Sequence, residues 1–215
     1  EDRASGEYLI EITVSGVTLY YASGDIAFDR KADVAHSEFT SSYMGNSVVS
    51  QNFYSNGKLV SVEGTNSNVL DRTSEQIMEK FPYAKLLELP DEVSDVTEKS
   101  SSVGRTVELT RQDTAKIFET VVGDGIYSLA TVIKKPQTDK AQFGDTKCTY
   151  TVKDGRAVGC RYEFTVKLFD TPAYVPGYSV PESEYTLELS VVAKVNYDCF
   201  GNDVKIDEYS QSEES

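Results

Sequence analysis

From Tyr185 to Cys199 the chain alternates without a break. Tyr185, Leu187, Leu189, Val191, Ala193, Val195, Tyr197 and Cys199 share one parity. Thr186, Glu188, Ser190, Lys194, Asn196 and Asp198 share the other. Period two over about fifteen residues demands a β-strand, because successive strand side chains point to opposite faces. Typical strands have only about 5–6 residues. A strand this long, apolar on one side and polar on the other, requires a large, strongly curved antiparallel sheet that is wet on one face.

The rest of the chain supplies partners for it. In the stretch from Ala157 to Phe169, Val158, Cys160, Tyr162, Phe164, Val166 and Leu168 share one face. It reads as a hairpin with Lys147 to Val152 around Asp154-Gly155. Ile126 to Ile133 reads as a further strand. At the N-terminal end Tyr8, Ile10, Ile12 and Val14 keep one parity, and Val17, Leu19 and Tyr21 the other. The flip falls at Ser15-Gly16, which reads as a bulge or sharp bend. Ile26 and Phe28, a polar turn at Arg30 to Asp33, and strands near Val34 to Met44 and Ser47 to Tyr54 follow. Asn56-Gly57 then predicts a type I′ hairpin returning through Leu59 to Glu63, since both central residues must take positive φ. The first 64 residues thus read as a meander of about five strands.

Two short helices interrupt the pattern. Thr73 with Gln76 makes a capping box for a helix over 74–81, with Ile77, Met78 and Phe81 on its apolar side and Pro82 closing it. A second helix is expected over 111–122, capped by Thr110, with Ile117, Phe118, Val121 and Val122 apolar and Gly123 ending it. Neither is long enough to stand alone, so each must dock on the sheet. Glu92 to Gly104 reads as an edge strand or a loop. A turn at Phe200 to Asp203 leads to a short last strand, Val204 to Ile206. The fold class is therefore mainly β (α+β): a single curved antiparallel sheet, a half-barrel, plugged by two short helices. Residues 1–6 read as a linker after a mature or trimmed N-terminus, 7–209 as one domain, and 210–215 as a frayed tail.

Charge bounds the partners. With 35 acidic and 21 basic side chains the net charge is −14, which opposes nucleic acid and anionic headgroups alike. Three cysteines cannot form a complete intrachain disulfide set. A two-residue turn at Asp154-Gly155 pairs Lys153 with Arg156 and Cys148 with Arg161, leaving Cys160 opposite Thr149 on the other face. Free, buried thiols are the expectation, because a disulfide would need a bulge to correct that parity.

Catalytic chemistry is not visible. His36 is the single histidine, shares a strand face with Val34 and Glu38, and reads as a surface or edge residue. No serine stands in a nucleophile elbow. The cysteines lack C-x-x-C spacing, and Asp198, Asp203 and Asp207 do not make a calcium loop. Gly123-Asp124-Gly125 lacks the lysine and helix of a phosphate loop. No enzyme, cofactor or metal is expected. What remains is apolar: Phe28, Tyr162, Phe164, Val166, Leu187, Leu189 and Val191 on the sheet, with Ile117, Phe118 and Val121 from the second helix. They line a ligand cavity if sheet and helices pack incompletely, and are ordinary core if packing is complete. Tyr174 and Tyr178, in the Pro-rich loop 172–181, are candidates for a protein contact or for covering a sheet edge.

Several stretches carry a family resemblance. They are Gly24 to Asp29, the Phe53 to Val60 hairpin, Leu109 to Asp113 opening a helix, and the ending Asn196 to Ile206. In these turn-bearing segments and in element order the chain resembles the LolA/LppX-like bacterial lipoproteins, including their uncharacterised Gram-positive branch. The resemblance implies a half-barrel around helices, an N-terminal lipid anchor on an extracellular, membrane-attached lipoprotein, and a hydrophobic cavity for acyl chains. It brings no catalytic residues. The anchoring cysteine is not in this chain, so the membrane enters only through that implied anchor. The reading that follows is a lipid or hydrophobic-ligand binding or sensing domain. A cell-surface protein-interaction module with a solid core is the alternative, its partner unknown.

Overall fold

The computed structural model describes residues 2–43, 45–73, 94–101, 104–118, 141–169 and 186–209. Among the described residues twelve strands form one sheet. The N-terminal meander is β1 (Arg3–Val14), β2 (Val17–Asp29), β3 (Val34–Tyr43), β4 (Asn46–Ser55), β5 (Lys58–Glu63) and β6 (Asn66–Asp71). A second group follows: β7 (Ser94–Ser101), β8 (Gly104–Arg111), a helical turn α1 over 114–118, the two-residue β9 (Gln142–Phe143), β10 (Thr146–Lys153), β11 (Arg156–Phe169) and β12 (Thr186–Phe200). The order across the sheet is β6-β5-β4-β3-β2-β1-β12-β11-β10-β8-β7, with β9 pairing β11 off that path. All these pairings are antiparallel, and the sheet is curved and open, a mainly β half-barrel. The first and last strands of the chain meet at its middle.

Turn chemistry fixes the register. Ser15-Gly16, Asn56-Gly57 and Asp154-Gly155 each place two consecutive residues at positive φ, 50° and 78°, 51° and 77°, and 51° and 77°. That conformation matches the right-handed twist of the flanking strands. Ser15-Gly16 is therefore a complete reversal between β1 and β2, with Val14 paired to Val17, and not a bend within one strand. Both readings flip the side-chain parity, so alternation alone does not separate them.

The register puts the apolar parity of the central strands on one face, here called the inner face. Tyr8, Ile10 and Ile12 of β1 lie beside Val195, Ala193 and Val191 of β12. Val195, Ala193 and Val191 in turn lie beside Cys160, Tyr162 and Phe164 of β11. Each of these side chains is buried. Two glycines let strands approach more closely than a side chain allows. A Cβ on Gly24 would stand 2.0 Å from the Glu38 carbonyl oxygen, and one on Gly6 2.1 Å from that of Asn196.

Other local readings change. Leu109 to Arg111 belong to β8, paired with Cys148, Lys147 and Thr146 of β10. The helix thus starts at 114 rather than 111, with the Lys116 and Ile117 amides donating to the Asp113 carbonyl. Strand pairing to β10 outweighs the local capping signal of Thr110. Residues 204–206 are not a strand: a 3₁₀ turn at Gly201–Asp203 leads into an irregular tail. The tail is held by the Arg3 guanidinium donating to the Val204 carbonyl at 2.7 Å. β1 begins at Arg3, inside the stretch expected to be a linker. Glu92 to Gly104 contains the edge strand β7. The helix expected over 74–81, the strand expected over 126–133 and the loop 172–181 with Tyr174 and Tyr178 lie outside the described residues.

Candidate functional site

The inner face is where the expected ligand-lining residues gather. Tyr162, Phe164 and Val166 of β11 are buried there beside Leu189 and Val191 of β12. Phe28 reaches the same core from β2. From α1, Ile117 and Phe118 face the sheet, both buried. The Phe118 ring meets Phe164 edge-on at 6.3 Å and Phe143 at 5.6 Å. A hydroxyl pair fastens α1 at its other side, Thr114 Oγ1 lying 2.7 Å from Thr146 Oγ1 with both residues fully buried. Eight of the ten expected residues are thus brought together on one surface. Val121 lies outside the described residues. Leu187 is in β12 opposite Leu168, and its side chain lies outside them.

A polar cluster interrupts this apolar surface, and the sequence did not show it. Arg111, at the end of β8, is buried. Its Nε and Nη2 donate to the two carboxylate oxygens of Asp113 at 2.8 and 2.5 Å. Its Nη1 points at the hydroxyls of Tyr150 and Tyr162, each at 3.4 Å, and those hydroxyls are 2.9 Å apart. Burial works against the guanidinium charge, but Asp113 and the two tyrosines outweigh it, so Arg111 is held protonated even more firmly than usual. Arg111 in turn holds the Asp113 carboxyl below its ordinary value against partial burial. Desolvation pushes the Tyr162 phenol far up. A signal existed: Arg111 continues the alternation of Val107 and Leu109 on the inner parity. The helical reading of Leu109 to Asp113 concealed it.

The cysteines corrected their own parity. Val152 pairs with Ala157 and Thr151 with Gly159, so Val158 is the extra residue of a bulge. Cys160 therefore lies opposite Tyr150, not Thr149, and Cys148 opposite Tyr162, not Arg161. Both thiols sit buried and free on the inner face. Burial pushes each up to about 12, which removes thiolate chemistry near neutral pH. A second register shift makes Asp198 the extra residue between Tyr197 and Cys199. Cys199 thus pairs with Ser5, leaves the inner parity that alternation assigned it, and is free and half-buried.

His36 is not a surface residue. Its side chain is 14% exposed, and its ring stacks on Phe53 at 4.7 Å on the outer face. The tail covers it: Asp207 comes within 3.7 Å of Nδ1 and Tyr209 packs on Phe53 at 5.6 Å. No described serine or cysteine contacts the imidazole, so the geometry offers no relay. Among the described residues no group of histidine, cysteine or acidic side chains is arranged to hold a metal ion. A groove of about 360 Å³ crosses the outer face over Glu7, Leu9, Tyr21, Asp25 and Lys194, opposite the apolar surface. No described helix is long and apolar enough to cross a membrane.

No family model matches the chain, and no curated protein does either. Among solved structures, the lipoprotein LppX of Mycobacterium tuberculosis aligns over 95% of this chain and 90% of its own, at 11% identity and a TM-score of 0.44. LprF of Mycobacterium bovis aligns over 96% and 89%, at 11% identity and a TM-score of 0.42. A LolA superfamily protein of Nitrosomonas europaea aligns over 97% and 88%, at 8% identity and a TM-score of 0.27.

Proposed function

We propose that this chain is an extracytoplasmic, lipoprotein-type carrier or sensor that binds a hydrophobic ligand, with an acyl chain as the class of ligand, on the inner face of its sheet. It has no catalytic role in this reading. The observation that carries it is the one-sidedness of an open sheet. Its inner face runs apolar across β1, β12, β11 and β10, from Ile12 through Val191 and Phe164 to Tyr150. A single sheet must cover its apolar face with another layer. Among the described residues α1 packs on that face, around Phe143 and Phe164. A ligand sharing the cover with chain elements is the arrangement that a carrier requires. Phe28, Phe118, Phe164, Val166, Leu189 and Val191 are its walls, and Ile117, Val121, Tyr162 and Leu187 complete the set.

Native mass spectrometry after incubation with a bacterial lipid extract tests this. A stoichiometric adduct of lipid mass is expected, with occupancy lowered in Phe164→Ala and Leu189→Ala variants that keep the β-sheet circular dichroism of the parent. The bare protein mass at every lipid concentration would refute the reading.

A further inference from the structure

Tyr197 of β12 is 3% exposed, and its hydroxyl is buried without a hydrogen-bond partner among the described residues. Buried polar groups are paired with few exceptions, and an unmade bond is destabilising. A phenylalanine would fill the same space without that cost, so the hydroxyl needs a reason.

Its surroundings supply one. The Tyr197 ring lies between two others, edge-on to Phe28 at 5.9 Å and tilted on Phe200 at 6.4 Å. Each flanking ring carries an arginine: Arg30 lies 5.6 Å from the Phe28 centroid, and Arg156 lies 5.3 Å from that of Phe200. All three aromatic residues sit where β2 and β12 end and β11 begins, at one rim of the inner face. The carboxylates near Arg30 are already committed. Asp29 pairs with Arg3 at 3.5 Å and accepts from the Lys31 and Ala32 amides. Asp2 pairs with Lys31, and Asp33 accepts from the Tyr54 hydroxyl. Arg30 has no carboxylate partner among the described residues. In a chain of net charge −14, a cation left without an acid at an apolar rim is a selective feature. Burial raises the Tyr197 phenol, with Cys160 adding to the rise, while the charge of Arg30 pulls it back.

We infer that Tyr197 and Arg30 form a head-group site for an amphiphile with one anionic head, a carboxylate or phosphate monoester, whose chain runs onto the inner face. The Tyr197 hydroxyl donates to a head oxygen, and the Arg30 guanidinium balances the charge. This rests on the carrier reading above and names the class of its ligand.

Titration calorimetry at neutral pH with palmitate, hexadecyl phosphate, hexadecanol and inorganic phosphate tests it. Charge-assisted hydrogen bonds are the stronger class, so the two anionic amphiphiles should bind about tenfold or more tighter than hexadecanol. Arg30→Gln should reduce that ratio and leave hexadecanol affinity unchanged, and Tyr197→Phe should weaken binding of both anionic amphiphiles. Apo Tyr197→Phe should be no less stable than the parent, because it removes an unpaired hydroxyl. Equal affinity for palmitate, hexadecyl phosphate and hexadecanol would overturn the head-group site and leave the carrier standing. Inorganic phosphate binding as tightly as hexadecyl phosphate would also overturn it, reducing it to an ion site. If no amphiphile binds, the carrier reading fails, and the head-group site with it.

Discussion

Removing Asp113 should destabilise the protein far more than removing either tyrosine hydroxyl that touches Arg111. The Arg111 side chain is 11% exposed and its bidentate partner is the Asp113 carboxylate. Asp113→Ala leaves that guanidinium buried with two long hydroxyl contacts at 3.4 Å and the face of the Tyr162 ring at 5.8 Å among the described residues. Breaking one side of a buried ion pair costs about 3–5 kcal/mol. Asp113 is itself 36% exposed, so water reaches the vacated side, and the lower end, about 3 kcal/mol, is expected. Tyr162→Phe removes neutral and weak contacts, among them the 2.9 Å bond to Tyr150 and the long contact to Arg111. That amounts to about 1 kcal/mol. The double variant Arg111→Met with Asp113→Ala removes both charges and should recover most of the loss, since apolar replacement of a buried pair is often near neutral. Urea denaturation followed by circular dichroism measures all three. The reasoning fails if Asp113→Ala costs less than Tyr162→Phe, or if the double variant is as unstable as Asp113→Ala.

Three further outcomes follow from the same face of the sheet. Cys148 and Cys160 should resist a thiol reagent at pH 7.5 in the native state while half-buried Cys199 reacts; rapid labelling of all three without denaturant would contradict the burial that pushes the first two to about 12. Those two thiols have folded values raised above the ordinary 9.0, so their stabilising contribution is full below pH 9.0 and is lost toward about 12; the urea midpoint should fall across that window, and a Cys148→Ala, Cys160→Ala variant should show a shallower fall. Gly24→Ala should cost about 3 kcal/mol or prevent folding, because its Cβ would stand 2.0 Å from a backbone oxygen of β3; a loss under about 1 kcal/mol would mean that the strands can part there.

Long-range alternation was the most legible signal in the chain. The inner parities of β11 and β12 follow from single residues such as Phe164 and Leu189, because period two persists through both strands. The turns at Asn56-Gly57 and Asp154-Gly155 were equally plain, because positive φ restricts residue type. What escaped was every event that changes parity by one. The bulges at Val158 and Asp198 have no local composition that marks them, yet they decide which face Cys160 and Cys199 occupy. Arg111 escaped because a strand ending one step before a helix carries capping residues of its own. His36 was misplaced because its cover, Asp207 and Tyr209, lies more than 170 positions away in the chain. Of the inner face, the apolar parity that buries Phe164 and Leu189 was readable from the sequence. The Arg111 cluster and the orphaned hydroxyl of Tyr197 were not, since both depend on which side chains strand register brings together.

The pairing of β1 with β12 at the middle of the sheet has a kinetic consequence. The strands of the β1–β6 meander join neighbours in sequence, and such hairpins close quickly. The seam joins residues nearly the whole chain apart, such as Ala4 with Phe200. Until β12 exists, β1 and β11 are both raw edges, each apolar on one face and open to wrong partners. Closure of the sheet is therefore gated by β12, and high contact order makes that step slow. The wall of the proposed binding face and the final closure of the molecule are the same fifteen residues. A defect in β12 would appear first as misassembly of the sheet, before any loss of affinity could be measured.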